Sequence, residues 1–308
     1  MTFPENENIV KAFLRMQSIC AGYSRIAVSV SGGSDSDIMI DMFTRLNIPC
    51  EYIFIDTGVE YRATYEHLDF LEDKYNIKIH RLSGRKIPPV VKEFGIPFLS
   101  KRISENIARL QHNGFKWEEG TLEELHSKYP KCKSALRWWC SDWKGSFSIN
   151  NYKLLKEFMQ QNPPEFKISS YCCDACKKAT AHKWQKEHEI QLVVTGIRRA
   201  EGGVRSARKS CFEKQKDCDN YAPLFFFTNA DKAEYKEFYG VQYSDCYEVY
   251  GMKRTGCVGC PFNRRFMDDL KVMQQYEPQL YKLAMYLFKD SYEYTTAYKK
   301  FRGDTIEE

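Results

Sequence analysis

A loop rich in glycine and serine, lying between a predicted strand and a predicted helix, constrains this chain more than any other feature. The loop is Ser31-Gly32-Gly33-Ser34-Asp35-Ser36. The run 25–30 before it is β-branched and predicts a buried strand, and the apolar run 37–43 after it opens a helix. Paired glycines permit positive φ angles, so successive N–H groups can face an anion, and a helix N-terminus adds partial positive charge. We therefore predict a phosphate-binding loop; the alternative is a plain turn.

The same alternation of strand and helix continues beyond the loop and predicts the fold class. Helices are expected at about 5–22 and 61–76, and further strands at 51–55, 77–82 and 190–195. Short connections between such elements indicate βαβ units. The expected fold is α/β, with an open, mainly parallel twisted sheet and helices on both faces.

Beyond about residue 229 the pattern becomes helical, and we expect one domain with a helical C-terminal section. A nucleotide-binding α/β domain would span 1–228, with an irregular insertion at about 84–165. A helical C-terminal section would span 229–308, with helices near 230–239, 265–276, 278–289 and 291–301.

Charge and hydropathy restrict the partners of the chain only weakly. The net charge of +5 suits an anionic ligand but does not by itself indicate nucleic-acid binding, which needs a concentrated basic patch. The N-terminus does not resemble a signal peptide, and the apolar runs are shorter than the roughly 20 residues of a membrane span. We expect a cytoplasmic protein without membrane contact.

The loop resembles the SGGxDS signature of the PP-loop ATP pyrophosphatases, which have the adenine nucleotide alpha hydrolase-like fold and cleave ATP between its α- and β-phosphates. The resemblance implies that ATP binds here with Mg²⁺. The N–H groups of residues 32–36, which include Gly32 and Gly33, and the hydroxyls of Ser31, Ser34 and Ser36 would hold the phosphates. Asp35 would help to place the metal, and Asp35 and Ser36 would be catalytic.

A second segment, Asp56-Thr57-Gly58-Val59-Glu60, follows the second predicted strand. It resembles the DTGxE segment of the phosphoadenylyl-sulfate (PAPS) reductase branch of this superfamily. Loops beyond the carboxyl ends of neighbouring parallel strands form the ligand crevice, so Asp56, Thr57 and Glu60 are expected near the nucleotide or Mg²⁺, with Asp56 also catalytic. Helix capping is the alternative function of these residues.

A third segment, from Gly196 to Arg205, follows the strand at 190–195 and resembles the G-[IV]-R-x-x-E-S-x-x-R pattern of the same reductase branch. Gly196, Arg198, Glu201 and Arg205 match this pattern, whereas Gly202 replaces its serine. The resemblance implies that the arginines hold phosphate or sulfate, with Arg198 also catalytic, because guanidinium groups bind oxyanions in a bidentate manner. The alternative is a solvated basic loop.

Ten of the twelve cysteines lie between Cys132 and Cys260 and predict a metal site or sulfur chemistry. Cys172-Cys173 and Cys257-Val258-Gly259-Cys260 resemble the CC and CxxC framework of assimilatory adenylyl-sulfate reductases. The resemblance implies that Cys172, Cys173, Cys257 and Cys260 hold a [4Fe–4S] cluster. Zn²⁺ would use the same ligand types, buried thiols without a ligand are a further alternative, and three more cysteines are possible substitutes: Cys140, Cys176 and Cys211.

These features favour an enzyme that adenylates an acceptor and is linked to sulfur transfer, as in nucleic-acid thiolation or phosphorothioation. Its partners would be an adenine nucleotide, a sulfur donor such as a cysteine desulfurase, and a nucleic-acid acceptor. Reduction of a sulfonucleotide to sulfite is the first alternative, but the cysteine of the C-terminal Glu-Cys-Gly segment of the reductases is missing after Cys260. A nucleotide sensor or scaffold without turnover is the second. The acceptor and the oligomeric state stay open.

Overall fold

The first unit of the protein is built around one sheet. The computed structural model describes residues 2–142 and 148–305, and divides the chain into a unit formed by Met1–Gly84 and Lys177–Cys257 and a second unit formed by Arg85–Cys176 and Val258–Glu308. Within the described residues the first unit has six strands in the order β3-β2-β1-β4-β6-β5. They are β1 Ile26–Val30, β2 Glu51–Asp56, β3 Ile79–Ser83, β4 Leu192–Val194, β5 Phe212–Glu213 and β6 Asp219–Tyr221. All neighbouring pairs are parallel except β5 with β6.

Helices cover both faces of this sheet. Alternate residues of each strand point to opposite faces, and apolar residues lie on both. Val28 of β1 and Val194 of β4 pack in the larger core, with α1, α2, α3 and α10. Ala27 and Val193 face the other way and pack with Trp184 of α9. The helices of the first unit are α1 Glu7–Cys20, α2 Ser34–Arg45, α3 Arg62–Tyr75, α9 Ala179–Glu187, α10 Asn229–Tyr239 and α11 Asp245–Glu248.

The second unit is helical and has its own core. Its helices are α4 Ile87–Phe94, α5 Lys101–His112, α6 Leu122–Lys128, α7 Lys133–Trp139, α8 Leu155–Gln161, α12 Phe266–Tyr276 and α13 Pro278–Phe301. Trp138 and Trp139 are fully buried and pack with side chains from α5 and α8 and with Tyr298 of α13. A single short parallel bridge joins Ile96 to Ile168.

The predicted fold class is confirmed, since the sheet is mainly parallel, has helices on both faces and is accompanied by C-terminal helices. Two details differ from expectation. The described residues of the segment 84–165 include five helices, α4 to α8, that are short and separated by Gly, Pro and Trp, which hide the helical period. Residues 278–301 form one helix where we expected two. Ser291, next to the expected break, is buried, and its Oγ donates to the Pro97 carbonyl at 2.5 Å. The predicted domain boundary at residues 228 and 229 stays a prediction.

No helix in the described part of the chain combines the length and the apolar character that crossing a membrane requires.

Candidate functional site

The Ser31–Ser36 loop connects β1 to α2 and is closed by one hydroxyl group. Ser36 Oγ donates to the Gly33 carbonyl at 2.7 Å and accepts from Gly33 N at 3.1 Å and from Ser31 N at 3.3 Å. Gly33 is the N-cap of α2, and the hydroxyl of Ser36, the third residue of the helix, binds the N-cap backbone, which is one half of a capping box. Ser36 therefore holds the shape of the loop, and its predicted catalytic role stays a prediction.

A side chain at either glycine of the loop would crowd its neighbours. Gly32 has a φ of +65°, and a Cβ built on it would lie 2.6 Å from Cγ2 of Thr64. A Cβ on Gly33 would meet the Thr255 hydroxyl at 3.1 Å and the Tyr247 hydroxyl at 3.2 Å. These two side chains come from the segment just before Cys257, and their hydroxyls lie 3.1 Å apart. The segment leading to the CxxC pair thus lies against the loop within the first unit.

Two cations converge on the carboxylate of Asp35 in the first turn of α2. Arg198 Nε lies 2.9 Å and Lys232 Nζ lies 2.7 Å from the same oxygen, Oδ1. Lys232 Nζ also donates to Ser34 Oγ at 2.7 Å. Arg198 is only 6% exposed, and its Nη1 donates to Asn229 Oδ1 at 3.1 Å. Ser34, Asp35 and Arg198 were predicted site residues, whereas Lys232 was not.

The segment after β4 reaches the loop through Gly196. A Cβ on Gly196 would lie 3.1 Å from the Asp35 Cβ, so only glycine permits this approach without movement. Glu201 Oε2 accepts from Arg198 N at 3.2 Å and holds the backbone of that arginine. Glu201 is ion-paired to Arg205 through its other oxygen. The structure therefore places Gly196 and Arg198 at the loop, while the observed partner of Arg205 is Glu201.

The acidic residues after β2 are engaged in a local network. Asp56 Oδ1 accepts from Gly58 N at 2.8 Å and from the Tyr65 hydroxyl at 2.9 Å. Thr57 is buried and donates to Glu60 Oε1 at 2.6 Å. Burial raises the pKa of Glu60, although Lys177 and Thr57 oppose this rise. Of these residues Asp56 is the better metal-ligand candidate, because burial disfavours the charged form of Glu60, which is the form that binds a cation.

A second acidic layer lies behind the loop on α2. Asp37 is fully buried, and its Oδ2 lies 3.0 Å from His67 Nε2 on α3. Burial raises the pKa of Asp37, and the hydrogen bond with His67 opposes this. One turn later, Asp41 accepts from the Tyr235 hydroxyl at 2.7 Å. These contacts fix α2 to α3 and α10, and α10 is the helix that carries Lys232.

This arrangement suits the binding of a phosphate chain. The loop stands at the carboxyl end of β1 in a parallel sheet, where ligands of open α/β folds bind. The first N–H groups of α2 precede any helical carbonyl partner, and an ammonium and a guanidinium group lie beside them. The carboxylate of Asp35 fits poorly as a Mg²⁺ ligand in this arrangement, because two cations already contact one of its oxygens.

Residues 25–97 and 111–263 match the family model of the phosphoadenosine phosphosulfate reductase domain. The chain belongs to this family. Membership makes the protein an enzyme of the PP-loop class, and it places β1, the loop, Arg198 and both cysteine pairs within the matched residues.

Proteins similar to this chain differ in sequence identity and in the share of the chain that they cover. An uncharacterised protein of Methanocaldococcus jannaschii is 36% identical over 87 residues, which are 28% of this chain and 18% of that protein. An uncharacterised 37.8 kDa protein of Escherichia phage 186 is 23% identical over 273 residues, covering 81% and 71% of the two chains. The crystal structure of the PAPS reductase of Candida auris in a phosphate complex covers 83% of this chain and 98% of its own, with 14% identity and a TM-score of 0.45. The matched stretches cover about a fifth of the first two curated relatives, 18% and 21%.

The cysteines of the family framework lie on two kinds of local structure. Cys173 and Cys176 lie in a π-helical turn, Cys173–Lys178. Cys260 follows Gly259, which has a φ of +61°. Four thiols have the donor chemistry for an iron–sulfur cluster or zinc. Across residues 2–142 and 148–305, however, no three His, Cys, Asp or Glu side chains form an arrangement that could hold a metal ion. The cluster therefore stays a prediction.

The residue that sequence reasoning missed, Lys232, carries almost no local signal. Its helix could be found, because Thr228 and Asp231 form a capping box at its start. Nothing in that pattern indicates that Lys232 contacts Ser34, which is 198 positions earlier. The same holds for Tyr247 and Thr255, whose contact with Gly33 depends on the folded chain.

Proposed function

We propose that this protein binds an adenine nucleotide at the Ser31–Ser36 loop and cleaves ATP between its α- and β-phosphates. The AMP moiety is transferred to an acceptor, and pyrophosphate is released. The observation that carries this proposal is the pairing of Lys232 and Arg198 with Asp35 at the start of α2. A cationic cluster at a helix N-terminus stabilises the negative charge that develops on a leaving pyrophosphate. Membership of a PP-loop family supports the same reading.

Different residues in and around the loop would bind the phosphates, hold the loop closed and bind Mg²⁺. The main-chain N–H groups of Gly32, Ser34 and Asp35 and the hydroxyls of Ser31 and Ser34 would contact phosphate oxygens. Those of Gly33 and Ser36 already donate within the loop. Ser36 would keep the loop closed, as its contacts with Gly33 indicate. Asp56 would hold Mg²⁺ where a nucleotide brings it, and that metal offsets charge on the phosphates. Glu60 suits this task less, because its pKa is raised by burial.

The products formed from ATP test this function. Incubation with ATP, Mg²⁺ and candidate acceptors should release AMP and pyrophosphate, or an adenylated acceptor, and not ADP with phosphate. Asp35→Asn should lower the rate roughly 100-fold, the size of a lost charge-assisted contact in catalysis. Asp73→Asn, on the exposed side of α3, is the matched control and should retain the rate. Equal rates in the two variants would show that the loop does not act in turnover.

We further propose that the reaction is linked to sulfur transfer through a [4Fe–4S] cluster held by Cys172, Cys173, Cys257 and Cys260. This proposal is supported by the donor chemistry of the four thiols and by the resemblance of their spacing to a known cluster framework. Zinc bound by the same thiols is the alternative. A sulfur donor such as a cysteine desulfurase and a nucleic-acid acceptor would complete the reaction. Anaerobic purification followed by iron, sulfide and zinc analysis tests the cluster. Cys257→Ser should lose the metal, whereas Cys50→Ser, outside the framework, should retain it.

A second candidate is reduction of a sulfonucleotide to sulfite. The observation that favours it is the family match, whose description is that of a PAPS reductase domain. Sulfite formation from adenylyl sulfate or PAPS with reduced thioredoxin would support this candidate. Absence of sulfite, together with pyrophosphate release from ATP, would favour the adenylating function.

A further inference from the structure

We propose that Lys232 binds the phosphate groups of the nucleotide directly, and that Asp35 positions Lys232 and Arg198 instead of binding Mg²⁺. This inference rests on the proposed nucleotide site and assigns a new phosphate-binding residue within it. It also predicts that the site binds the phosphate chain without a divalent ion at Asp35.

The charge balance at Asp35 is the first argument. Lys232 Nζ at 2.7 Å and Arg198 Nε at 2.9 Å contact the same carboxylate oxygen, so two positive groups surround one negative group. Mg²⁺ binds carboxylate oxygens at about 2.0–2.1 Å and would stand next to both cations. Like charges at such separation repel strongly in a partly buried site. Binding of Mg²⁺ at Asp35 would therefore require Lys232 to leave.

The hydrogen-bonding capacity of Lys232 is the second argument. An ammonium group has three donors; Nζ donates one hydrogen bond to Ser34 Oγ and forms an ion pair with Asp35 Oδ1. Both contacts lie in the first turn of α2, beside the main-chain N–H groups of the loop. The ammonium group of Lys232 therefore has a donor to offer to a ligand, and it is already held where a phosphate would bind.

The rigidity of the lysine is the third argument. Lys232 lies in the first turn of α10, and only 14% of its side chain is exposed. The start of that helix is fixed, because Asp231 accepts from Thr228 N at 2.7 Å and from Asn6 Nδ2 at 2.9 Å. Tyr235, one turn further on, donates to Asp41 of α2 at 2.7 Å. A cation held in this way loses little freedom when an anion binds, which favours affinity.

Binding measurements with ATP and adenosine in EDTA test the inference. The wild type should bind ATP under these conditions. Lys232→Met should bind ATP about 10- to 100-fold more weakly, the worth of one hydrogen bond to a charged group. Adenosine affinity should change by less than about twofold, because adenosine lacks the groups that Lys232 contacts. Lys232→Arg should recover part of the ATP affinity.

Lys236→Met is the matched control, because Lys236 lies one turn along α10, pairs with Glu248 and does not contact the loop. If Lys232→Met and Lys236→Met bind ATP equally well, or if Lys232→Met loses adenosine and ATP affinity alike, the inference is wrong. If the wild type binds ATP only with Mg²⁺, the same comparison of variants in Mg²⁺ decides, because the proposed function holds that ion at Asp56; failure of the inference in either condition leaves the proposed function intact. If the wild type binds neither ATP nor adenosine under any condition, the proposed function itself fails.

Discussion

Substitution of Gly32 by alanine should damage the loop for two separable reasons. The first is the φ of +65°, since an L-residue in this region costs roughly 1–2 kcal/mol. The second is contact with Thr64 Cγ2 at 2.6 Å, which is an overpacking of the kind that costs about 1–3 kcal/mol. Alanine also reduces the conformational entropy of the unfolded chain, which offsets about 0.4–1 kcal/mol of this loss of stability. We expect Gly32→Ala to lower the free energy of unfolding by about 3 kcal/mol.

Gly240→Ala isolates the first of these effects. Gly240 has nearly the same φ, +66°, but no atom lies within 4 Å of a Cβ built there. Its substitution should cost only about 1 kcal/mol. Adding Thr64→Ser to Gly32→Ala removes the clashing methyl group. It should restore about half of the difference in unfolding free energy between Gly32→Ala and Gly240→Ala. Urea denaturation followed by circular dichroism measures these free energies, and ATP titration measures the site. Equal losses of stability in Gly32→Ala and Gly240→Ala would refute the steric argument.

Three further predictions concern groups around the loop and the CxxC pair. Asp41→Ala should cost about 2–4 kcal/mol in urea denaturation, because it leaves the buried Tyr235 hydroxyl without its acceptor; a loss below about 0.5 kcal/mol would contradict this. The raised pKa of Glu60 means that its contribution to stability is present below its unfolded value of 4.5 and is lost as pH rises through the folded value. Glu60→Gln should therefore gain stability relative to wild type as the pH rises above 4.5. A difference in melting temperature between Glu60→Gln and wild type that does not change with pH would count against the assigned pKa direction. Gly259→Ala should lower stability and metal content, because its Cβ would lie 2.5 Å from the Tyr292 hydroxyl; wild-type iron or zinc content would show that this turn tolerates a side chain.

Local sequence patterns were sufficient to predict strands β1 to β4 and the loop. Strand β1 and helix α2 have clear hydrophobic patterns, and Gly32 between them has the positive φ that favours glycine. The short strands β5 and β6 were missed, because two and three residues carry too little pattern to predict a strand. Strand β6 is Asp219–Tyr221. Its pairing with β4 is a long-range event that the local sequence does not encode.

The sequence by itself determined that a glycine-rich loop follows the first strand and opens a helix, because that conclusion depends only on neighbouring residues and their backbone preferences. Only the tertiary structure decided which side chains surround the loop. It brought Lys232 onto Asp35 and Ser34, and Thr255 onto Gly33. It also changed the interpretation of Asp35 from a metal ligand to an anchor for two cations. The physical reason is that charge balance at a site depends on distances between residues far apart in the chain, and those distances exist only after folding.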